Sequence, residues 1–290
     1  MFHDIRNNYD TKYIKRYNLK SFMNVQEFKN KLDYLNHKYE IISSSEIPNV
    51  KTNNSQFAIL TFDDGLLDHY YVADILNDIG LLATFFIPTQ AIRDRVIINS
   101  HKIQFLLASI DEKELVKRIL NLTPKQISNK YLWEKYSVSQ WKNNWWTSEM
   151  VFVTNFLRYQ DKWDITNILF NNLITKDEVG FCDEFYLNET QLHEIALAGH
   201  EIGGHGFSSV PLTSAKDQEN EIFQSLDYVK KFYKRDVIFS YPNGKYDNDT
   251  LRILSKYGCK YAYTNVKQYI DNDTSMLELP RYDAPLDIII

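Results

Sequence analysis

The sequence predicts an α/β protein in which short strands alternate with amphipathic helices around a parallel sheet or barrel. Short apolar runs rich in β-branched and aromatic residues indicate strands at 1–5, 57–62, 83–88, 201–205, 237–241 and 260–264. Between them, apolar residues recur at three- and four-residue spacing, which indicates helices at 24–37, 68–79, 189–198, 216–233 and 247–257. In parallel architectures the chemistry collects at the carboxyl ends of the strands.

Residues 100–185 interrupt this alternation, and we interpret them as an insertion within a single domain spanning 1–290. They are predicted to be mostly helical, at 102–121, 124–136 and 149–175. All five tryptophans lie between 133 and 163. Two interpretations stay open. The indole rings form the core of a small helical cap, or some of them, such as Trp145 and Trp146, line a sugar-binding cleft, because aromatic faces pack well against pyranose rings.

Composition and charge exclude several classes of protein. The net charge of −5 argues against a nucleic-acid partner, which favours a basic surface. No apolar stretch of about 18 residues is present, so no transmembrane segment is expected. The first residues lack an apolar run of signal-peptide length, and the two cysteines, Cys182 and Cys259, form no disulfide framework. These features predict a cytoplasmic protein with reduced thiols.

The scarce glycines indicate where the backbone needs special conformations. The chain has nine glycines in 290 residues, and four of them lie within 199–206. Gly65 follows an Asp-Asp pair, and Gly244 follows Tyr-Pro-Asn. Because glycine permits positive φ and close approach to a ligand, these three places are candidate functional loops.

The first candidate loop carries two adjacent carboxylates at the end of a predicted strand, in Thr61-Phe62-Asp63-Asp64-Gly65. Adjacent side chains of an extended strand point to opposite faces, so both serve one site only if the chain turns there. Two close carboxylates then suit one metal ligand and one general base. The alternative is a pair of aspartates that caps the helix beginning near Asp68.

Three further segments carry polar residues after strands. His205 lies among glycines in GHEIGGHGFSS, and Tyr241 and Asn243 belong to FSYPNG. Near the carboxyl terminus, LPRYD supplies Arg281 and Asp283. Each also has a purely structural interpretation. His205 would be a histidine whose hydrogen bonds are made within the protein, FSYPNG would contain an ordinary Pro-Asn-Gly turn, and Arg281 would form an ion pair with Asp283.

Taken together and in this order, TFDDG, GHEIGGHGFSS, FSYPNG and LPRYD resemble the polysaccharide deacetylases of the NodB-homology type, carbohydrate esterase family 4. The resemblance covers about residues 1–285 and includes the histidine on the first strand. It implies a distorted (β/α) barrel of about seven strands. It also implies metal-dependent removal of an acyl group from an amino sugar.

The resemblance assigns roles residue by residue. Asp63 matches the catalytic base, and Asp64 and His205 match metal ligands. The implied cofactor is a divalent metal, with Zn²⁺ favoured over Ni²⁺ or Co²⁺. Tyr241 matches a position whose backbone helps to hold the oxyanion. The expected substrate-binding residues are Tyr241, Asn243, Arg281, Trp145 and Trp146.

The sequence departs from the family pattern at the metal site. Ser209 stands where the family has a second histidine, and Gly206 stands where it has serine or threonine. No histidine follows His205, so the family's late general acid has no counterpart. The candidates to complete the site are His69, His3 and a water molecule bridged to Ser209.

The expected function is removal of an N-acyl group, acetyl or formyl, from an amino sugar in surface polysaccharide biosynthesis. A cytoplasmic enzyme would meet nucleotide- or lipid-linked sugar precursors rather than finished cell wall. The alternative is a degenerate, non-catalytic carbohydrate-binding protein on the same fold. Glycosidic cleavage by Asp63 and Asp64 fits poorly, since glycosidases need carboxyl groups about 5 Å or more apart across the bond.

Overall fold

The computed structural model describes residues 1–20, 22–50, 56–138, 146–232 and 236–288. The strands in these ranges are β1 (Asp4–Ile5), β2 (Phe22–Met23), β3 (Glu40–Ile41), β4 (Phe57–Ala58), β5 (Thr61–Phe62), β6 (Thr84–Ile87), β7 (Glu201–Gly204), β8 (Val237–Ser240) and β9 (Cys259–Tyr263). Strands β5 to β9 form one parallel sheet whose order follows the chain, and the sheet curls into a half-barrel. The predicted α/β barrel-like fold is confirmed.

Two short parallel pairs extend this half-barrel. β1 pairs with β2, and β3 pairs with β4. A bridge from Phe2 to Phe62 joins the first pair to the sheet, and a bridge from Tyr263 to Leu279 lies at the other edge. The sequence does not predict β2 or β3, because two residues are too few to show the alternation that marks a strand.

Helices connect the strands, and their bounds in the described ranges are Lys15–Asn18, Val25–Lys38, Ile47–Val50, Asp68–Asp78, Thr89–Arg93, Asn99–Ser109, Glu112–Leu122, Asn129–Tyr136, Ser148–Leu157, Trp163–Leu173, Glu178–Asp183, Glu189–Leu197, Gln218–Val229, Asn248–Lys256 and Ala284–Asp287. Two predicted helices of the insertion are each divided in two. Asp111 accepts hydrogen bonds from the backbone of Lys113 and Glu114 and so starts a new helix. A turn at 158–162 divides the other.

The sheet and the insertion have separate apolar cores. In the sheet, the ring of Phe62 stacks between Phe2 and Phe85, with centroid distances of 5.1 and 5.0 Å. This two-sided burial is typical of parallel strands. In the insertion, Phe152 stacks on Trp133 at 5.4 Å and on Phe156 at 5.6 Å. Trp133 therefore belongs to the core of the insertion.

Glycine at the end of β7 is required by close packing. A Cβ on Gly203 would lie 2.6 Å from the ring of Phe86, and one on Gly204 would lie 2.6 Å from Ser225 Oγ. Both distances are far below van der Waals contact, so a side chain at either position would displace its neighbour. The glycine pair lets β6 and the helix Gln218–Val229 pack tightly on either side of the strand that carries His205.

The end of the insertion returns to the first candidate loop. The backbone of Leu67 donates to Phe185, and the backbone of Leu187 donates to Gly65. Tyr186 lies between these two hydrogen bonds and forms a bridge with Leu66. The insertion is thus anchored beside the Asp-Asp pair. Among the described residues, no helix has the length and apolar character needed to cross a membrane.

Candidate active site

The predicted motif residues meet at the carboxyl edge of the sheet. Asp63 and Asp64 follow β5, His205 follows β7, and Ser240 ends β8. Asp64 has a φ of 80°, a left-handed conformation that residues other than glycine seldom adopt. Because the chain turns there, both carboxylates face one site although they are neighbours in the sequence.

Asp63 is held by a bidentate ion pair with Arg281. Nη1 and Nη2 of Arg281 donate to the two carboxylate oxygens at 2.8 and 2.9 Å. The guanidinium also donates to Thr61 Oγ1, Ser240 Oγ and the carbonyl of Thr264. Both charged side chains are buried. All five N–H groups of this arginine are therefore engaged, and the fork geometry fixes the carboxylate plane.

This ion pair sets the charge of Asp63. Burial alone would raise the pKa of its carboxyl group, but Arg281, followed by His205 and His3, lowers it to about 2. Asp63 is consequently ionised at neutral pH. It is also a weak base, since proton transfer is most efficient when the pKa of the base lies near the working pH.

Asp64 lies between two imidazole rings. Its Oδ2 is 3.2 Å from Nε2 of His101, and its Oδ1 is 3.7 Å from Nε2 of His205. His101 lies on Asn99–Ser109, a helix of the insertion. Burial raises the pKa of Asp64, yet the two histidines outweigh burial and hold it well below its usual range.

The orientation of His205 leaves a lone pair directed at Asp64. Its Nδ1 lies 3.0 Å from the carbonyl oxygen of Ser240. A carbonyl only accepts hydrogen bonds, so Nδ1 carries a hydrogen and Nε2 of the neutral ring does not. Two acceptors then face each other across 3.7 Å. This arrangement is favourable when a proton or a metal cation lies between them.

His101 has two available states. Its Nδ1 lies 2.7 Å from Oη of Tyr186, and that oxygen accepts a hydrogen bond from the backbone of Ile98. If Tyr186 donates to Nδ1, Nε2 donates to Asp64. If Nδ1 donates to Tyr186, Nε2 offers a lone pair beside Asp64. His101 is therefore able to act as a hydrogen-bond donor or as a ligand.

The chemistry of these three side chains fits a divalent metal. One carboxylate and two imidazoles are a donor set that zinc takes, and neighbouring ligand atoms of a tetrahedral zinc site are about 3.3 Å apart. The two separations at Asp64, 3.2 and 3.7 Å, fall on either side of this value. Within the described ranges no group of three ligating side chains is placed to hold a metal ion, so metal binding would require these side chains to move.

The two other histidines that were predicted to complete the site, His69 and His3, lie in different surroundings. His69 lies in the core against the rings of Phe62 and Phe85, and its Nε2 donates to the carbonyl of His3 at 3.1 Å. Burial lowers the pKa of His69 to about 4, so this ring is a neutral structural group. The side chain of His3 is half-buried, and its position near the two aspartates is among the causes that lower their pKa values.

Two residues predicted to contact the substrate, Tyr241 and Arg281, have their donors engaged within the protein. The backbone N–H of Tyr241 donates to Tyr263 at 3.0 Å, and its hydroxyl donates to the carbonyl of Leu277 at 2.6 Å. Neither donor of Tyr241 is free for an oxyanion. Arg281 is likewise fully engaged with Asp63 and the groups around it, so it positions the carboxylate and does not pair with Asp283.

The remaining predicted residues lie around a cavity. Ser209, Asn243 and Trp146 all line it. Ser209 and Asn243 have φ values of 57° and 55°, so both motif loops are strained where they border this space. Trp145 lies outside the described residues. No hydrogen bond joins Ser209 to Asp64 in the part of the chain that the structure describes.

His101 and Tyr186 are the residues that the sequence did not predict for the site. His101 follows Asn99-Ser100 at the start of a helix in the insertion, 37 positions after Asp64. Nothing in its neighbours distinguishes it from a capping or core histidine. The usable signal is indirect: Ser209 removes a ligand, and few histidines remain to replace it.

The structure thus brings carboxylates and imidazoles together at the carboxyl edge of a half-barrel. The sequence profile described as polysaccharide deacetylase matches residues 151–262. No curated protein matches the chain in sequence at a significant level.

Solved structures share the fold over nearly the whole chain. The Streptococcus pyogenes deacetylase PplD in complex with acetate is 18% identical, with a TM-score of 0.57 over 98% of this chain and 89% of that one. IcaB from Ammonifex degensii is 13% identical, with a TM-score of 0.55 over 97% and 88%. A polysaccharide deacetylase from Bacillus cereus is 13% identical, with a TM-score of 0.57 over 98% and 63%. The predicted resemblance to polysaccharide deacetylases is confirmed.

Proposed function

We propose that the protein is a metal-dependent hydrolase that removes an N-acyl group from an amino sugar. One observation carries this proposal: the carboxylate of Asp64 lies between Nε2 of His101 and Nε2 of His205, next to the buried, ionised Asp63. The profile match and the deacetylase fold support the reaction type.

Asp64, His205 and His101 would hold the metal. His101 would then replace the histidine that the family has at the position of Ser209. When bound, a divalent ion polarises an amide carbonyl and makes water a stronger acid. Each imidazole is oriented by a second contact, His205 by the Ser240 carbonyl and His101 by Tyr186, and such outer contacts fix the rings of ligating histidines.

Asp63 would accept a proton from the attacking water. Its low pKa makes it a weak base, so Arg281 acts mainly by holding the carboxylate in one orientation. Once protonated, Asp63 is a strong acid and returns the proton readily. His3 is the candidate that protonates the leaving amine, because its half-buried ring lies within electrostatic reach of both aspartates.

The finer parts of the proposal concern the substrate. We propose an acetyl or formyl group on an amino sugar of a surface polysaccharide or of its nucleotide- or lipid-linked precursor in the cytoplasm. Zn²⁺ is the favoured ion, with Ni²⁺ and Co²⁺ as alternatives. Trp146 and Asn243, which line the adjacent cavity, would contact the sugar. The competing function is a carbohydrate-binding protein that does not hydrolyse.

The test compares metal binding by Asp64→Ala, His101→Ala and His205→Ala with that of His37→Ala. His37 is an exposed histidine on Val25–Lys38 and serves as the matched control. Zinc per chain is measured after loading and dialysis, and the visible spectrum of the Co²⁺ form reports the number of protein ligands. We expect one ion per chain in the wild type and in the control, and affinity reduced by at least about tenfold in the other three variants.

Release of acetate or formate from N-acylated sugars is measured on the same samples. A wild-type protein that holds no metal after loading would refute the metal-dependent reaction. Bound metal without release of acid from any of these sugars would favour the carbohydrate-binding function. An unchanged Co²⁺ spectrum in His101→Ala would show that His101 only donates a hydrogen bond to Asp64.

A further inference from the structure

A cavity of about 230 Å³ lies between the insertion and the motif loops. Ser209, four residues after His205, and Asn243 line its barrel side. Ser100, next to His101, lines the side formed by the insertion. The cavity therefore borders residues adjacent in sequence to the candidate metal ligands, and it has room for about one sugar ring with a small substituent.

Three hydrogen-bond donors of the insertion line this cavity and have no partner among the described residues. The guanidinium of Arg158 makes no hydrogen bond or ion pair within those ranges. The indole N–H of Trp163 and the hydroxyl of Thr154 are buried and also make no hydrogen bond there. Thr154 lies on Ser148–Leu157, Arg158 follows that helix directly, and Trp163 begins the next one. The segment from Thr154 to Trp163 thus contains three donor groups without a partner among the described residues, and the guanidinium of Arg158 is the one that is not fully buried.

The described residues that line the cavity carry a positive charge and no counter-charge. Arg158 is the one charged residue among the described residues that line it. Burial lowers the pKa of its guanidinium, but an arginine remains charged in proteins. A half-buried charge with no partner is costly, and guanidinium groups match the oxygens of phosphate and carboxylate groups. The missing partner is therefore an anion with two or three acceptor oxygens.

We propose that this cavity binds the anionic group of a charged sugar, either a phosphate or a carboxylate. Arg158 donates to its oxygens, and Trp146 packs against the sugar ring. That this sugar is the substrate rests on the proposed function and on the lining residues Ser100 and Ser209, which lie one and four positions from His101 and His205 in the sequence. The binding itself does not depend on catalysis.

The test measures binding by calorimetry, which requires neither metal nor turnover. The probes are N-acetylglucosamine 1-phosphate, a disaccharide of N-acetylglucosamine and glucuronic acid, and the neutral disaccharide of N-acetylglucosamine. Wild-type protein is compared with Arg158→Gln and with Arg252→Gln. Arg252 lies on the exposed face of Asn248–Lys256, so the second variant makes the same change in charge away from the cavity.

We expect the wild type and Arg252→Gln to bind one of the charged sugars at least about tenfold more tightly than the neutral one. Arg158→Gln should lose this preference and keep its affinity for the neutral disaccharide. The phosphate and the carboxylate probes distinguish the two sources of charge.

Equal binding of all three sugars, absence of binding by both charged sugars, or a preference that survives in Arg158→Gln would each overturn the inference. These outcomes are independent of metal content and acid release, which test the proposed function. A protein that binds charged sugars but holds no metal would refute the proposed function and leave the anion site in place.

Discussion

Two arginines, Arg281 in the barrel and Arg158 in the insertion, differ in how many protein partners their guanidinium groups have. In the barrel, Arg281 is buried, and all five of its N–H groups meet protein acceptors, two of them on Asp63. In the insertion, Arg158 is half-buried and has no hydrogen bond or ion pair within the described residues. Among the described residues, the charge of Arg281 is fully compensated and the charge of Arg158 is not.

We infer from this difference that Arg281 holds side chains of the site in place, whereas Arg158 is available to bind a ligand. A satisfied polar network holds its members in one arrangement, which suits a carboxylate that must be positioned for proton transfer. An unsatisfied donor in a cavity raises the free energy of the empty state and strengthens the binding of a partner. Under the proposed function, the barrel would hold Asp63 in position, and Arg158 of the insertion would contribute to the selection of the sugar.

The largest expected effect is on the free energy of unfolding. It tests whether Arg281 and Arg158 have different structural roles. Arg281→Met leaves Asp63 buried without its partner, and we expect a loss of about 3–5 kcal/mol in the free energy of unfolding. Arg158→Met removes a charge that has no described partner, and we expect a change within about 1 kcal/mol. Urea unfolding at pH 7 measures both.

The double variant Arg281→Met/Asp63→Asn is the control for this pair. It removes both charges, so most of the lost stability should return. If Arg158→Met were as destabilising as Arg281→Met, the two arginines would have the same structural role, and the comparison would fail.

A second, smaller effect is expected in the pH dependence of stability. The pKa of Asp63 is lowered from 3.8 to about 2. A lowered folded-state pKa contributes stability that is complete above the unfolded value and is lost as the pH falls toward the folded value. Asp63 should therefore contribute about 2 kcal/mol at neutral pH that disappears between about pH 4 and pH 2.

Urea unfolding of the wild type and of Asp63→Asn at several pH values between 6 and 2 measures this contribution. The difference in unfolding free energy between the two proteins should shrink by about 2 kcal/mol on acidification. A difference that stays constant with pH would mean that the ion pair with Arg281 does not set the pKa of Asp63.

The smallest effect concerns Tyr186, whose hydroxyl contacts the candidate metal ligand His101. Tyr186→Phe removes the oxygen that contacts His101 Nδ1, and we expect zinc affinity to fall by about tenfold. The control is Tyr246→Phe, which loses a hydrogen bond to Glu278 elsewhere in the protein. Competition with a chromophoric chelator measures both affinities, and equal affinities would remove His101 from the ligand set.

The barrel could be predicted from the sequence because its signals are local. The strand around Phe85 is an apolar run, and the helix Val25–Lys38 shows regular apolar spacing and is capped by Asn24. The Asp-Asp-Gly turn and the glycines before His205 marked the carboxyl edge of the sheet. The positions of Asp63, Asp64 and His205 followed from the order of parallel strands.

The contribution of the insertion could not be predicted, because it depends on how separate cores dock. His101 and Arg158 lie in helical segments whose pattern shows which face is apolar but not which loop they approach. The same limit applies to Arg281, whose nearest acidic neighbour in sequence is Asp283, whereas its partner in space is Asp63. Distant pairing of this kind leaves no periodic signal.

The ion pair between Asp63 and Arg281 also constrains how the protein folds. Its members are 218 positions apart in the chain, so the contact closes a very long loop, and contacts of this kind form slowly. Until the segment with Arg281 docks, the strand that ends at Asp63 exposes an uncompensated charge to the forming core. A chain in which this segment has not docked therefore lacks the arginine that holds Asp63 in position.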